Sequence, residues 1–199
     1  VLVKEKGKLD GEELLPQLTG AWLTGAQRRG KMLILEFDSG VDMAIHLMLI
    51  GQVLLHRGRP PLPGHSTLAF LFTNGYSLEV WAVGLQFQHL VRHQALEDLP
   101  EVASLGVDAM SPEFTPERLK ELLAGRRGAI KPFLMEQSNL SGLGNTYTDE
   151  ALHLARIHPQ RDMRSLASTE AVALHAAIAA TLHKALALGG YSREQFVHL

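Results

Sequence analysis

The stretch of this chain richest in potential chemistry runs Lys131-Pro132-Phe133-Leu134-Met135-Glu136-Gln137-Ser138-Asn139-Leu140-Ser141-Gly142-Leu143-Gly144-Asn145-Thr146-Tyr147. Its pattern predicts a helix that ends near Gln137, a tight connection containing two glycines, and a second helix that begins at Asn145. Asn145 is a residue type suited to the N-cap. Glycine allows positive φ and close backbone approach. A helix N-terminus presents unpaired N–H groups and the positive end of the helix dipole, which suits a phosphate. Lys131 could add an ammonium for a neighbouring phosphate. Two readings of these residues stay open: an ordinary helix–turn–helix corner in which Asn145 caps its own helix, or an anion-gripping tip.

Other candidates are fewer. Arg28-Arg29-Gly30-Lys31 is a basic cluster, and residues 117–131 hold five basic side chains against Glu117 and Glu121. Either could be a solvated face or part of a binding surface. Ten histidines are scattered. His89 and His93 fall in a strand and a loop, which disfavours a metal pair. His175 and His183 lie on the last helix, where packed or solvent-facing roles are expected. Glu136 is expected to be structural. No nucleotide-binding loop and no Ser–His–Asp signature stands out.

These residues need elements to position them. Residues 20–93 read as short β-strands. Met32–Phe37 and Val41–His46 flank the turn signal Asp38-Ser39-Gly40, Gly51–His56 follows, and Thr67–Phe72 and Tyr76–Trp81 flank Asn74-Gly75. Leu85–Val91 is the next strand. Residues 95–190 read as helical. Thr115-Pro116-Glu117 carries a capping hydroxyl, a proline at the first helical position and an early acid. Leu119, Leu122 and Leu123 mark its buried face, with Gly125 as its stop. Helices are expected over Ala129–Gln137, from Asn145 through Leu154, and over Ser168–Leu188, the last closed by Gly189-Gly190. The fold class expected is α+β, an antiparallel β-sandwich or barrel-like half over residues 1–94 followed by a helical half over 95–199.

The chain has 199 residues, 46% hydrophobic and 20% charged, with a formal net charge of −2. That composition fits a folded protein rather than a disordered one. It contains no cysteine, which excludes disulfides, thiolate metal sites and a cysteine nucleophile within these residues. No apolar run approaches the 18 or so residues of a membrane-spanning helix, and no signal-peptide core opens the chain. A cytoplasmic location is expected. The near-neutral net charge does not exclude nucleic acid, because a binding face is a local field.

Taken jointly, Ile130-Lys131-Pro132, Leu134-Met135-Glu136-Gln137, Gly142-Leu143-Gly144-Asn145, Tyr147, Asp149-Glu150-Ala151-Leu152 and Ile157-His158-Pro159 resemble the helix–two-turns–helix module of the formamidopyrimidine-DNA glycosylase/endonuclease VIII family. The module would occupy about residues 129–156. Arg28-Arg29-Gly30-Lys31, Asp38-Ser39-Gly40, His46-Leu47 and Gly51 resemble that family's β-domain. Leu105-Gly106 and Phe114-Thr115-Pro116-Glu117 resemble its interdomain segment. The likeness extends over roughly residues 14–190.

The resemblance implies base-excision DNA repair: removal of oxidised bases and cleavage of the strand at the abasic site, with damaged duplex DNA held between the two halves. It implies phosphate contacts from Lys131, Asn145 and Gly144 on one side and from Lys31 and His46 on the other. It implies a monomer that associates with the nucleoid through DNA. The family's nucleophile is an N-terminal proline followed by a proton-shuttling glutamate. Neither is found at Val1-Leu2-Val3, so no catalytic residue is assigned in this chain, and an incomplete sequence is the expectation. No metal or cofactor is expected within these residues. The complete protein could hold zinc in a four-cysteine ribbon. The family's methionine wedge falls at Leu49, beside Met48, and an apolar side chain at either place could wedge into a base stack. The family's Arg-Arg-Phe-Gly loop corresponds to Trp81-Ala82-Val83-Gly84, without an arginine to pair with the widowed base; Trp81 is expected to be a buried core residue. The alternatives are a catalytically inactive protein of the same fold that recognises bent or damaged DNA, and an RNA-associated protein. The β-rich half and the near-neutral charge argue against the second alternative.

Overall fold

The computed structural model describes residues 2–3, 9–48, 51–60, 66–81 and 87–190. The chain divides into two compact units, Val1–Ala103 and Ser104–Leu199. The first contains β1 (Leu2–Val3), β2 (Leu9–Asp10), β3 (Leu23–Arg29), β4 (Met32–Phe37), β5 (Val41–His46), β6 (Gln52–Arg57), β7 (Ser66–Leu71), β8 (Tyr76–Trp81), β9 (Phe87–Arg92) and α1 (Pro100–Ala103). The second contains β10 (Val107–Asp108), α2 (Pro116–Leu123), α3 (Ile130–Met135), β11 (Leu140–Ser141), α4 (Asn145–Leu154) and α5 (Ser168–Ala187).

The first unit is a two-layer β structure. One sheet has the order β1-β7-β8-β6 and the other β2-β9-β5-β4-β3. All pairings are antiparallel except the short parallel contact of β2 with β9. The turn signals act as expected. Gly40 and Gly75 adopt φ of 75° and 83°, which reverse the chain between β4 and β5 and between β7 and β8. Alternate residues of both sheets meet in one core: Leu35, Phe37, Val41, Met43, Ile45 and Leu90 from one side, and Leu68, Phe70 and Val80 from the other. The Phe37 and Phe70 rings bridge the layers with centroids 5.5 Å apart. The opposite face of the five-stranded sheet is also covered. Met32, Ile34, Ala44 and Val91 pack there with Leu96 and Val102. Double coverage explains why β5 reads as a continuous buried run rather than an alternating one.

The second unit is helical. Thr115 caps α2 as its sequence implies, its hydroxyl accepting from the Arg118 N–H at 3.1 Å. The α2 helix ends at Leu123, and Gly125 follows with φ 71°. The α3 helix is shorter than the pattern suggested, running Ile130–Met135. Ala171, Leu174, Ile178, Leu182 and Ala185 lie along one buried stripe of α5, at helical spacing. This stripe meets Leu119 and Leu123 of α2 and Ala151 and Leu152 of α4 in a single core. His175 packs here, its Nε2 2.7 Å from the Phe114 carbonyl oxygen. Among the described residues, no helix is long and apolar enough to cross a membrane.

Candidate nucleic-acid interface

The connection between α3 and α4 is held by side chains the chain itself supplies. The Gln137 Nε2 donates to the carbonyls of Met135 at 2.8 Å and Leu143 at 2.9 Å, while its Oε1 accepts from the Gly142 N–H at 3.1 Å. One side chain therefore spans both ends of the double turn. Asn139 Nδ2 donates to the Phe133 carbonyl at 3.2 Å, and Ser138 donates from its hydroxyl to Glu136 at 3.1 Å. Glu136 is tied into the turn by this bond. The turn is also anchored from outside, because β10 pairs in parallel with β11. There Gly106 lies so close that an added Cβ would come within 2.5 Å of the Ser138 carbonyl oxygen. Only glycine fits at that crossing.

These restraints present the N-terminus of α4. Asn145 was expected to be its N-cap; it is the first helical residue, and Gly144 is the cap. The difference means that Asn145 does not cap its own helix, as the first of the two readings assumed. A capping Asn would spend its carboxamide on its own backbone. Here no side chain caps the helix, no acid sits in its first turn, and the Asn145 side chain is exposed with no hydrogen bond to any described residue. The two glycines differ in role. Gly142 needs φ of 88°, a region costly for other residues, whereas Gly144 is extended with φ −117°.

Lys131 occupies the second position of α3. Its backbone N–H is bonded to the Pro159 carbonyl at 3.1 Å, and that of Ile130 to the Arg161 carbonyl at 3.0 Å. The start of α3 is therefore occupied by the chain itself, whereas that of α4 carries no side-chain cap. The Lys131 ammonium is paired with Asp149, at 2.7 Å from Oδ1 and 2.8 Å from Oδ2. Asp162 reinforces the same corner: its carboxylate accepts from the Arg164 N–H and the Arg164 guanidinium and from the Gly128 N–H. The Arg164 side-chain bond is the main cause that brings its pKa down to about 2.

The first unit has its own cluster of donors. Lys31 lies in the turn before β4, and its neighbour Met32 is in register with His46 on β5. Burial lowers the Lys31 pKa; burial, and then the charge of Lys31, lower that of His46. The Met48 N–H donates to His46 Nδ1 at 3.0 Å. A neutral imidazole that accepts at Nδ1 carries its proton on Nε2, so His46 offers an N–H donor there. Met48 is exposed and adopts φ of 53°, uncommon for a side chain of its size. Leu49 lies outside the described residues, as do Ala82-Val83-Gly84. Trp81 ends β8 and is only partly buried, not the enclosed core residue expected.

Three features escaped the sequence reading. The Gln137 clamp and the Lys131–Asp149 pair join residues 6 and 18 positions apart through side chains, and the Asp42–His93 contact at 2.7 Å joins residues 51 apart. The second is the most accessible in retrospect, because Asp149 stands one helical turn after Asn145. Among the described residues, no group of three or more His, Cys, Asp and Glu side chains could hold a metal ion.

The chain thus joins a mainly antiparallel β unit to a helical unit whose α3, double turn and α4 have the arrangement of a helix–two-turns–helix module. Two family models match the chain: the formamidopyrimidine-DNA glycosylase N-terminal domain over residues 2–83 and the H2TH domain of the same protein over residues 105–197. The formamidopyrimidine-DNA glycosylase of Cytobacillus firmus is 38% identical over 199 residues, covering 99% of this chain and 71% of that protein. Its counterpart from Roseiflexus is 37% identical, covering 90% of this chain and 65% of that protein. The crystal structure of the Lactococcus lactis enzyme non-covalently bound to DNA containing an abasic site superposes with a TM-score of 0.82 at 32% identity, covering 91% of this chain and 69% of that one. The chain belongs to the formamidopyrimidine-DNA glycosylase family of base-excision repair proteins.

Proposed function

We propose that this chain is the DNA-gripping body of a glycosylase that removes oxidised bases and, through AP lyase chemistry, opens the strand at the abasic site. The observation that carries the reading is the α4 tip: an uncapped helix N-terminus, free of acid, with the Asn145 carboxamide exposed beside it. Backbone N–H groups and a positive dipole end suit a phosphate, and Lys131 supplies the adjacent charge. In the β unit, Lys31 and the Nε2–H of His46 form a second set of phosphate donors, and Met48 is a wedge candidate. Its Lactococcus relative was crystallised with abasic-site DNA and with DNA carrying an N7-benzyl-Fapy-dG, which supports a lesion-bearing duplex as the partner. Phosphate contacts carry no sequence information, as befits a protein that meets damage in any sequence. Extruding a nucleotide costs a few kcal/mol, and fixed donors on a bent backbone offset part of that.

The test is binding to a duplex containing a tetrahydrofuran abasic analogue against the same duplex intact, followed by borohydride trapping on a true abasic site. Preference for the analogue is expected of this chain, and a trapped covalent adduct of the protein that carries the family's N-terminal proline. Equal affinity for both duplexes would overturn the damage-recognition reading. Preference without trapping by that protein would remove the lyase step and leave a DNA-binding protein of the same fold.

A further inference from the structure

We propose that Asp149 is a positioning residue that sets how strongly Lys131 holds a DNA phosphate; this rests on the phosphate reading of Lys131. The ammonium of lysine has three donors and no acceptor. The two carboxylate oxygens of Asp149, at 2.7 and 2.8 Å, engage it before any phosphate arrives. Asp149 stands four residues after Asn145 on α4, so the two side chains share a helix face. A phosphate seated at the α4 tip within reach of Lys131 therefore meets an ammonium already shared with a carboxylate.

The pair is not needed to build the corner. The start of α3 is fixed by backbone bonds to Pro159 and Arg161. The Lys131 side chain is 27% exposed and that of Asp149 48%. Pairs as open as this contribute little to folding. What the carboxylate does do is aim the ammonium and neutralise part of its charge. The first effect orients Lys131, and the second weakens its grip on any duplex. Binding then exchanges one anionic partner of Lys131 for another, and this mutes the salt dependence that a free ammonium would give.

Asp149→Asn separates these effects, because the amide keeps an acceptor for Lys131 and loses the charge. The assay is fluorescence anisotropy with the tetrahydrofuran duplex across a salt series, on the parent chain, D149N, K131M and the double variant. D149N should bind roughly three- to ten-fold more tightly near 0.1 M salt, with a salt slope steeper by up to about one. Its unfolding transition should stay unchanged. In the K131M background the same substitution should change affinity by less than about two-fold. If K131M weakens binding and D149N does not tighten it, the positioning role is overturned while the phosphate reading of Lys131 survives. If D149N tightens binding equally with and without Lys131, the carboxylate repels DNA on its own and the inference is again overturned. If K131M has no effect on binding, the phosphate reading fails and takes this inference with it.

Discussion

Replacing Gln137 with alanine should loosen the α4 tip more than any other single polar change in the second unit. The side chain makes three hydrogen bonds at 2.8, 2.9 and 3.1 Å, all to backbone groups of the connection it spans. Each such bond is worth about 0.5–1.5 kcal/mol net, and buried partners left unpaired add to the loss. Because this site is only partly buried, water can recover some of it, so the total should be about 2–3 kcal/mol. Gln137→Glu keeps the acceptor for Gly142 and loses both donors, so it should fall between the parent and the alanine variant. Denaturant unfolding measures the loss, and amide hydrogen exchange localises it. The Gly142 amide should exchange faster in the alanine variant, and affinity for an abasic duplex should drop with it. A loss under about 0.5 kcal/mol with unchanged exchange at Gly142 would refute the clamp.

Two further outcomes follow from the geometry. Burial and Lys31 hold His46 below its ordinary value of 6.5, so the imidazole is neutral at pH 7 in the free protein. A phosphate at Nε2 favours the charged form, so binding takes up a proton at Nδ1 in place of the Met48 N–H bond: affinity should rise as pH falls toward the lowered value of the free protein and level off below it. Anisotropy at constant ionic strength should show this rise, and His46→Gln should flatten it. For folding itself the sign is opposite, since a depressed histidine adds stability above 6.5 that is lost as pH falls. Arg156 sits just past α4 with φ of 57°, where the Ile157 and Arg156 N–H groups bond back to the Leu152 and His153 carbonyls. Arg156→Gly should stabilise the protein by about 1 kcal/mol by relieving that conformation, and chemical denaturation checks it.

Much of this architecture was legible in the residues because local rules and packing agreed. Asp38-Ser39-Gly40 and Asn74-Gly75 turn the chain where their φ preferences require, and Thr115-Pro116 starts α2 where its hydroxyl can cap it. The Lys131–Asn145 segment announced a helix, a double turn and a helix from glycine placement and apolar spacing alone. The role of Asn145 was misjudged because capping preference is a statistical tendency: Gly144 takes the cap, and the carboxamide is released to the surface. The pairing of Lys131 with Asp149 and the threefold use of Gln137 were hidden for a different reason. The pair depends on how α3 and α4 are set against each other, and the Gln137 bonds depend on the backbone path of the double turn, neither of which residue spacing within the motif encodes.

The claim on which the account depends is that the tip of α4 holds a phosphate. Backbone and side-chain amide shifts, followed by NMR as a tetrahydrofuran-containing duplex is added, test it most directly. The backbone N–H groups of Asn145 and Thr146 and the Asn145 carboxamide should show among the largest downfield shifts in the second unit. Saturable duplex binding that leaves those three signals unmoved would contradict the account.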